Sequence, residues 1–203
     1  MNILITGGSG FLAGRLAFFL LGFKKYKITL STRRNNHQFL KNEKIRILKI
    51  DWDSDSSIDH MCKDMDIVFH LASPNAKECE KNPKKAFKVN VNNTKKLVKI
   101  ASKNRIKRII YFSTAHVYSS DLSGNIVESS ETTNSHPYAK THLMAEKHIL
   151  NFNEKDKQDG IIFRLSNSFG YPVNFDVGCW KLFVNDICKS GIENRQLVIK
   201  YSK

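Results

Sequence analysis

The sequence predicts an α/β fold, a doubly wound parallel β-sheet with helices on both faces. Three observations predict it. Short apolar runs suited to buried strands alternate with stretches of helical length and period. The first of these runs ends in a glycine-rich turn, Gly7-Gly8-Ser9-Gly10, that leads straight into a helical segment. The 203 residues, 41% of them hydrophobic, are enough for one packed domain with a sizeable core.

The elements follow in order. Residues 2–6 are a short apolar run, read as the first strand, and residues 11–21 have helical length with apolar faces. Second and third strands are predicted at 26–31 and 45–50, a weak helix at 56–63 and a fourth strand at 66–70. Pro83 opens a long helix to about residue 103, since proline suits a first turn. Along it Phe87, Val91, Thr94, Val98 and Ala101 recur at helical spacing. A fifth strand is expected at 108–113, a helix at 136–152 and a sixth strand at 161–165. A last helix is expected at 177–189, followed by a short strand at 197–201. Sheets of this kind bind ligands at the carboxyl ends of their strands.

Composition excludes several classes. No apolar run approaches the ~20 residues of a membrane span. The N-terminus lacks the basic segment of a secretory leader, so a cytoplasmic protein without a membrane partner is expected. Cys62, Cys79, Cys179 and Cys188 form no CxxC pair, and no metal is expected. The net charge is +14, and residues 81–108 contain no acid. Basic stretches that bind nucleic acid often interleave aromatics or sit in a known module, and neither is evident. A solvated helix face is expected, with no nucleic-acid partner; attraction of phosphate-bearing small molecules is the competing use of the charge.

Residues 7–13 fit two glycine spacings. Gly8, Gly10 and Ala13 match GxGxxG/A, while Gly7, Gly10 and Ala13 match GxxGxxG with its last glycine replaced. Either way, glycines allow the tight turn and a close approach of backbone to a pyrophosphate, whose charge the free N–H groups of the helix start favour. The expected ligand is a nicotinamide dinucleotide. The second strand ends Ser31-Thr32-Arg33-Arg34, with no carboxylate for a ribose, which favours NADP over NAD. Asp51, in Asp51-Trp52, is placed to accept from an adenine amino group.

The motifs Thr6-Gly7-Gly8-Ser9-Gly10-Phe11, Asp51-Trp52, Asp66-Ile67-Val68-Phe69-His70-Leu71-Ala72, Asn90-Val91-Asn92-Asn93-Thr94, Ser113-Thr114-Ala115-His116-Val117-Tyr118, Pro137-Tyr138 and Arg164-Leu165-Ser166-Asn167-Ser168-Phe169-Gly170 follow in this order. With them, essentially the whole chain resembles the extended short-chain dehydrogenase/reductases, in particular the NAD(P)-dependent epimerase/dehydratase branch acting on nucleotide sugars. The resemblance implies a Rossmann-type domain over 1–170 and, over 171–203, the start of an incomplete substrate-binding portion. It implies cofactor contacts from Gly7, Gly8, Ser9, Gly10, Phe11, Leu12, Thr32, Arg33, Asp51, Trp52, Leu71, Ala72, Ser73, Asn90, Ser113, Tyr138 and His142. Substrate contacts fall to Ser73, Thr114, His116 and Asn167. Tyr138 is the implied acid/base, Thr114 the hydroxyl that orients the reacting oxygen, and the helices around 84–103 and 137–152 the implied face of a homodimer.

Two departures matter. The family motif Tyr-x-x-x-Lys reads Tyr138-Ala139-Lys140-Thr141-His142 here, so His142 stands where a lysine would hold the ribose and lower the tyrosine pKa. Four-residue spacing keeps His142 on the tyrosine's helix face, whereas Lys140 points elsewhere, so His142 is expected to join Thr114 and Tyr138 as a catalytic residue, replacing the lysine as ribose anchor and giving a slower or pH-sensitive enzyme. Ala115-His116 replaces the Asp-Glu pair of the dehydratases, which favours an epimerase or reductase of a nucleotide-activated sugar. Family members run longer, so weak or absent turnover is expected of residues 1–203, with dinucleotide binding better preserved. The rival reading is a catalytically impaired dinucleotide-binding fragment or sensor.

Overall fold

The computed structural model describes residues 1–33, 43–119, 122–154 and 158–195. Six strands, β1 (Asn2–Thr6), β2 (Lys27–Thr32), β3 (Ile45–Lys49), β4 (Ile67–His70), β5 (Arg108–Thr114) and β6 (Asp159–Leu165), form one sheet in the order β3-β2-β1-β4-β5-β6. Every neighbouring pair is parallel. The order reverses between β1 and β4, and the crevice at their carboxyl ends is where such sheets take ligands.

Alternation along β1 explains the two cores. Ile3 and Ile5 face α1 (Phe11–Leu21) and pack with Ala13, Ala17, Leu20, Ile28 and Leu30. Leu4 faces the other way, into a larger core with Val68 and Ile109 and with α2 (Asp55–Cys62), α5 (Asn93–Lys103) and α6 (Pro137–Leu150). Side-chain caps start several of these helices. Ser54 accepts from Ser57 N–H at α2, and His136 Nδ1 accepts from Tyr138 N–H at 3.1 Å at α6, where Pro137 takes the first helical position.

The structure corrects the sequence at three places. A short helix, α3 (Ala76–Lys81), precedes Pro83, begun by a capping box between Asn75 and Glu78. The long helix is not uniform: α4 (Pro83–Phe87) and α5 are joined by a π-helical turn, Lys88–Asn92. The extra residue in that turn rotates the preceding face. Ala86 is therefore buried where the regular period pointed to Phe87, which is exposed, while Val91, Thr94 and Ala101 stay inward. The last helix is not continuous over 177–189 either. A 3₁₀ turn at Gly178–Lys181 ends at Leu182, whose extended backbone breaks the path, and α7 runs Phe183–Asn194. The strand expected at 197–201 lies outside the described residues, as does Arg34. No helix among the described residues is long and apolar enough to cross a membrane.

Candidate active site

The turn after β1 is built for close backbone approach. Gly7 has φ +70°, and a Cβ there would lie 3.0 Å from Ala72 N and from the Leu71 carbonyl. At Gly8 a Cβ would meet Leu30 Cβ at 2.8 Å, because Gly8 N–H bonds to Ser31 O. Gly10 N–H closes the turn on Gly7 O and Gly10 then caps α1 without a side-chain acceptor. The first N–H groups of a helix have no acceptor within it, and the first turn of α1 carries no acidic residue. Positive helix-start potential is left for an anion. At the end of β2 the fully buried Ser31 Oγ has no hydrogen-bond partner among the described residues. The donor-rich cradle and this orphaned hydroxyl fit a dinucleotide laid across the turn.

The floor of the crevice is fixed by a buried network. Thr6 Oγ1 accepts the N–H groups of Leu71 and Ala72, at 3.1 and 3.2 Å. Its lone pairs are then used, so its own proton goes to His70 Nδ1 at 2.7 Å. His70 Nε2–H in turn donates to Thr94 Oγ1 at 2.9 Å. This holds Leu71 and Ala72 against Gly7.

Tyr138 and Thr114 come together from different elements. Thr114, the last residue of β5, accepts His116 N–H at 3.2 Å, and its own hydroxyl is turned towards Tyr138. Tyr138 lies in the first turn of α6; burial raises its pKa, and a hydrogen bond with Thr114 partly offsets the rise. His142 lies on the same face of α6, with its ring 4.5 Å from that of Tyr138 and edge-on to it. The Ser73 hydroxyl donates to Pro74 O, so His142 Nε2–H must donate to Ser73 Oγ at 3.1 Å, and His142 Nδ1 accepts from Tyr111 Oη at 2.7 Å. His142 is 2% exposed, and burial pushes its pKa down to about 4. It is therefore neutral at pH 7 and gives Tyr138 no cation.

Burial also pushes His70 down to about 3. Both folded-state values lie below the ordinary histidine value of about 6.5, so the unfolded chain takes up protons that the native rings refuse. Stability from this source is complete above about pH 6.5 and falls as pH drops towards 4, by about 1.4 kcal/mol per pH unit for each ring. Urea midpoints measured from about pH 7 to pH 5 are expected to fall steadily, and His142→Gln to flatten the fall. A pH series identical in the two proteins would contradict the assignment.

Asn90, in the π-helical turn, donates from Nδ2 to Thr141 Oγ1 at 2.9 Å and so pins the start of α6; its buried Oδ1 has no partner among the described residues. Asp51 is exposed and its Oδ1 accepts Asp53 N–H, whereas Trp52 is buried against His70. Arg33, His116 and Asn167 are exposed, and Thr32 and Ser113 are buried.

Sequence reasoning missed Glu146. Four residues beyond His142, it is buried at 3%, accepts from Ser113 Oγ, and pairs with Arg164 through Nη2 at 2.7 Å and Nε at 3.1 Å. The pair raises the Arg164 pKa further and ties α6 to the ends of β5 and β6. The available signal was a carboxylate on an apolar helix face, between Ala145 and Ile149.

The sequence model of the NAD dependent epimerase/dehydratase family matches residues 3–195. The chain belongs to this family. It is 28% identical over 181 residues to UDP-glucose 4-epimerase of Halalkalibacterium halodurans, covering 88% of this chain and 54% of that protein. It is 30% identical over 187 residues to human dTDP-D-glucose 4,6-dehydratase, covering 84% and 53%. Among solved structures, UDP-glucuronic acid 4-epimerase from Bacillus cereus in complex with NAD has the same fold, with a TM-score of 0.82, 22% identity, and coverage of 98% of this chain and 65% of that one. The chain thus spans about half the length of the curated relatives it matches.

Proposed function

We propose that this family member binds a nicotinamide dinucleotide over the Gly7–Gly10 turn and belongs to an enzyme that epimerises or reduces a nucleotide-activated sugar. The observation that carries the reading is the meeting of Thr114 and Tyr138 at the carboxyl end of β5, beside the floor that Thr6 and His70 build under Ala72. Gly7, Gly8, Ser9 and Gly10, with the first N–H groups of α1 at Phe11 and Leu12, would hold the pyrophosphate. Leu71 and Ala72 would line the nicotinamide end, and Asp51 and Arg33 the adenosine end. The exposed Arg33, with no carboxylate at the end of β2, supports NADP over NAD.

The bound group would supply the hydride acceptor or donor at the sugar carbon. This chain's residues move the proton. Thr114 gives its hydroxyl hydrogen to the reacting oxygen and orients it. Tyr138, kept protonated by burial beside a neutral His142, is best suited to donate its proton to an oxygen that is gaining negative charge. In the reverse direction it takes that proton up only once ionised, so oxidation should gain with rising pH. Ala115 and the exposed His116 supply no carboxylate pair, which supports epimerase or reductase chemistry over dehydration.

His142→Lys would put the missing cation four residues from Tyr138, and an adjacent cation favours phenolate. An ultraviolet titration of tyrosinate, with Tyr138→Phe to identify the signal, is expected to show Tyr138 ionising at lower pH in the lysine variant. An unchanged titration would sink the account of the histidine. The function is tested by mixing the protein with NADP or NAD, in oxidised or reduced form, and a panel of UDP- and dTDP-linked sugars or keto-sugars. Change at the reduced-nicotinamide absorbance band, or an epimerised product, is expected and should vanish in Tyr138→Phe. Dinucleotide binding with no turnover of any such sugar would favour the sensor reading.

Residues 171–195 belong to the same proposal as the start of the sugar pocket. A homodimer through α5 and α6 belongs to it too; a groove of about 330 Å³ between them is floored by Val98 and Phe152 and rimmed by Lys95, Lys99 and His148.

A further inference from the structure

The first helix is apolar on both sides. Its inward face, with Ala13, Ala17 and Leu20, packs on the sheet. Its outward face carries Phe18 and Phe19, 67% and 66% exposed, and the following turn adds Phe23 at 43%. Phe19 and Phe23 touch edge to face at 5.4 Å, and Phe23 continues to Tyr26 at 5.7 Å. Phe19, Phe23 and Tyr26 thus form one continuous patch, with Phe18 exposed beside Phe19 in the chain. A helix that is hydrophobic all round is ordinarily covered, and a contiguous exposed patch marks an interaction surface.

The charged side chains of residues 18–27 are all lysines. Lys24, Lys25 and Lys27 are all exposed, and Lys25 Nζ lies 5.2 Å from the Tyr26 ring. No Asp or Glu occurs in the first 42 residues. Arg15, one turn earlier, is occupied with Tyr171 O and the Phe11 ring. At the same end of the sheet Asp66 is neutralised by Lys107 and by the Asn2 N–H. Phenylalanines flanked by lysines match the surface of an anionic bilayer: rings enter the acyl boundary while ammonium groups stay among the headgroups.

We propose that the outer face of α1 and the turn 22–27 dock on an anionic lipid surface. No spanning segment is needed, because an amphipathic surface lies in the interface plane. It is an alternative to the expectation that the chain has no membrane partner. The placement leaves the chemistry accessible. Phe23, Lys24 and Lys25 precede β2 and Lys27 opens it, at the amino ends of the strands, whereas the glycine turn and Tyr138 lie at the carboxyl ends. A protein seated on the patch keeps its crevice open to the aqueous phase.

The 203-residue chain is sedimented with vesicles of phosphatidylcholine alone, or of phosphatidylcholine and phosphatidylglycerol in equal parts. At low salt, partition onto the anionic vesicles is expected to exceed that onto neutral ones by roughly tenfold or more, and to fall with added salt. Both Phe18→Ser/Phe19→Ser and Lys24→Glu/Lys25→Glu are expected to abolish it, while far-ultraviolet circular dichroism and dinucleotide binding stay unchanged. The proposal is overturned by equal or absent partition onto the two vesicle types, or by binding that survives the phenylalanine changes. It is also overturned if those changes instead dissolve a self-associated species on size exclusion, which would make the patch a protein interface.

Discussion

Gly7→Val is expected to abolish dinucleotide binding while leaving the sheet folded. At φ +70° a β-branched residue is strained by about 1–2 kcal/mol. Its Cβ would also lie 3.0 Å from the backbone of Leu71 and Ala72, which cannot swing away like a side-chain tip because Thr6 holds both N–H groups. Relief must come from opening the turn, and that displaces the N–H groups proposed to hold the pyrophosphate. A loss of roughly 100-fold or more in affinity, about 2.7 kcal/mol, is expected. The melting midpoint should fall by only a few degrees, since about 1 kcal/mol shifts a domain of this size by roughly 2–4 °C. Fluorescence titration of the reduced dinucleotide beside a thermal melt checks both parts. Affinity within a few-fold of the unsubstituted chain would show that the turn is not the binding cradle.

Glu146→Ala is expected to be the most destabilising single change at the site. It strips the guanidinium of Arg164 of its carboxylate and leaves it with Glu128 O and the Tyr118 ring, and it removes the acceptor of Ser113 Oγ. Breaking a buried pair by deleting one partner costs about 3–5 kcal/mol. The Arg164 side chain is 21% exposed and partly rehydrates, which places the loss near the lower end. Against a total stability of about 5–15 kcal/mol that is severe. Glu146→Gln keeps an acceptor and should cost less, and the double change Glu146→Leu/Arg164→Leu should recover part of the loss by removing both charges. Urea unfolding of the four proteins tests this; an alanine variant within about 1 kcal/mol of the parent would remove the pair from its structural role.

Much of the fold was readable because parallel strands are buried on both faces and so appear as plain apolar runs. The glycine turn was readable because its spacing records steric demands at Gly7, Gly8 and Gly10. Ala76–Lys81 was missed because six mostly polar residues carry no period, and only the Asn75–Glu78 cap betrays it. The π-helical turn was invisible because positions 87, 91, 94, 98 and 101 fit a regular helix; only packing shows that Ala86 and Asn90 took the inward places.

At the candidate site the pairing of Tyr138 with His142 was legible, and the environment of the pair was not. Four-residue spacing correctly put His142 beside Tyr138. Its neutrality comes from burial, and the residues that enclose it include Tyr111 from β5 and Ser73 after β4, both distant in sequence. The charge of a histidine is set by such neighbours, so no local pattern could give it. Glu146 and Arg164 lie 18 residues apart on different elements, and only the parallel pairing of β5 with β6 brings them together.

The proposed function stands on a nicotinamide dinucleotide held in the cradle at Gly7–Gly10. Calorimetric titration of the chain with NADPH and with NADH tests it most directly. Saturable binding of one dinucleotide per chain is expected, tighter for NADPH and lost in Gly7→Val. A chain that is folded by circular dichroism yet binds neither dinucleotide would contradict the account.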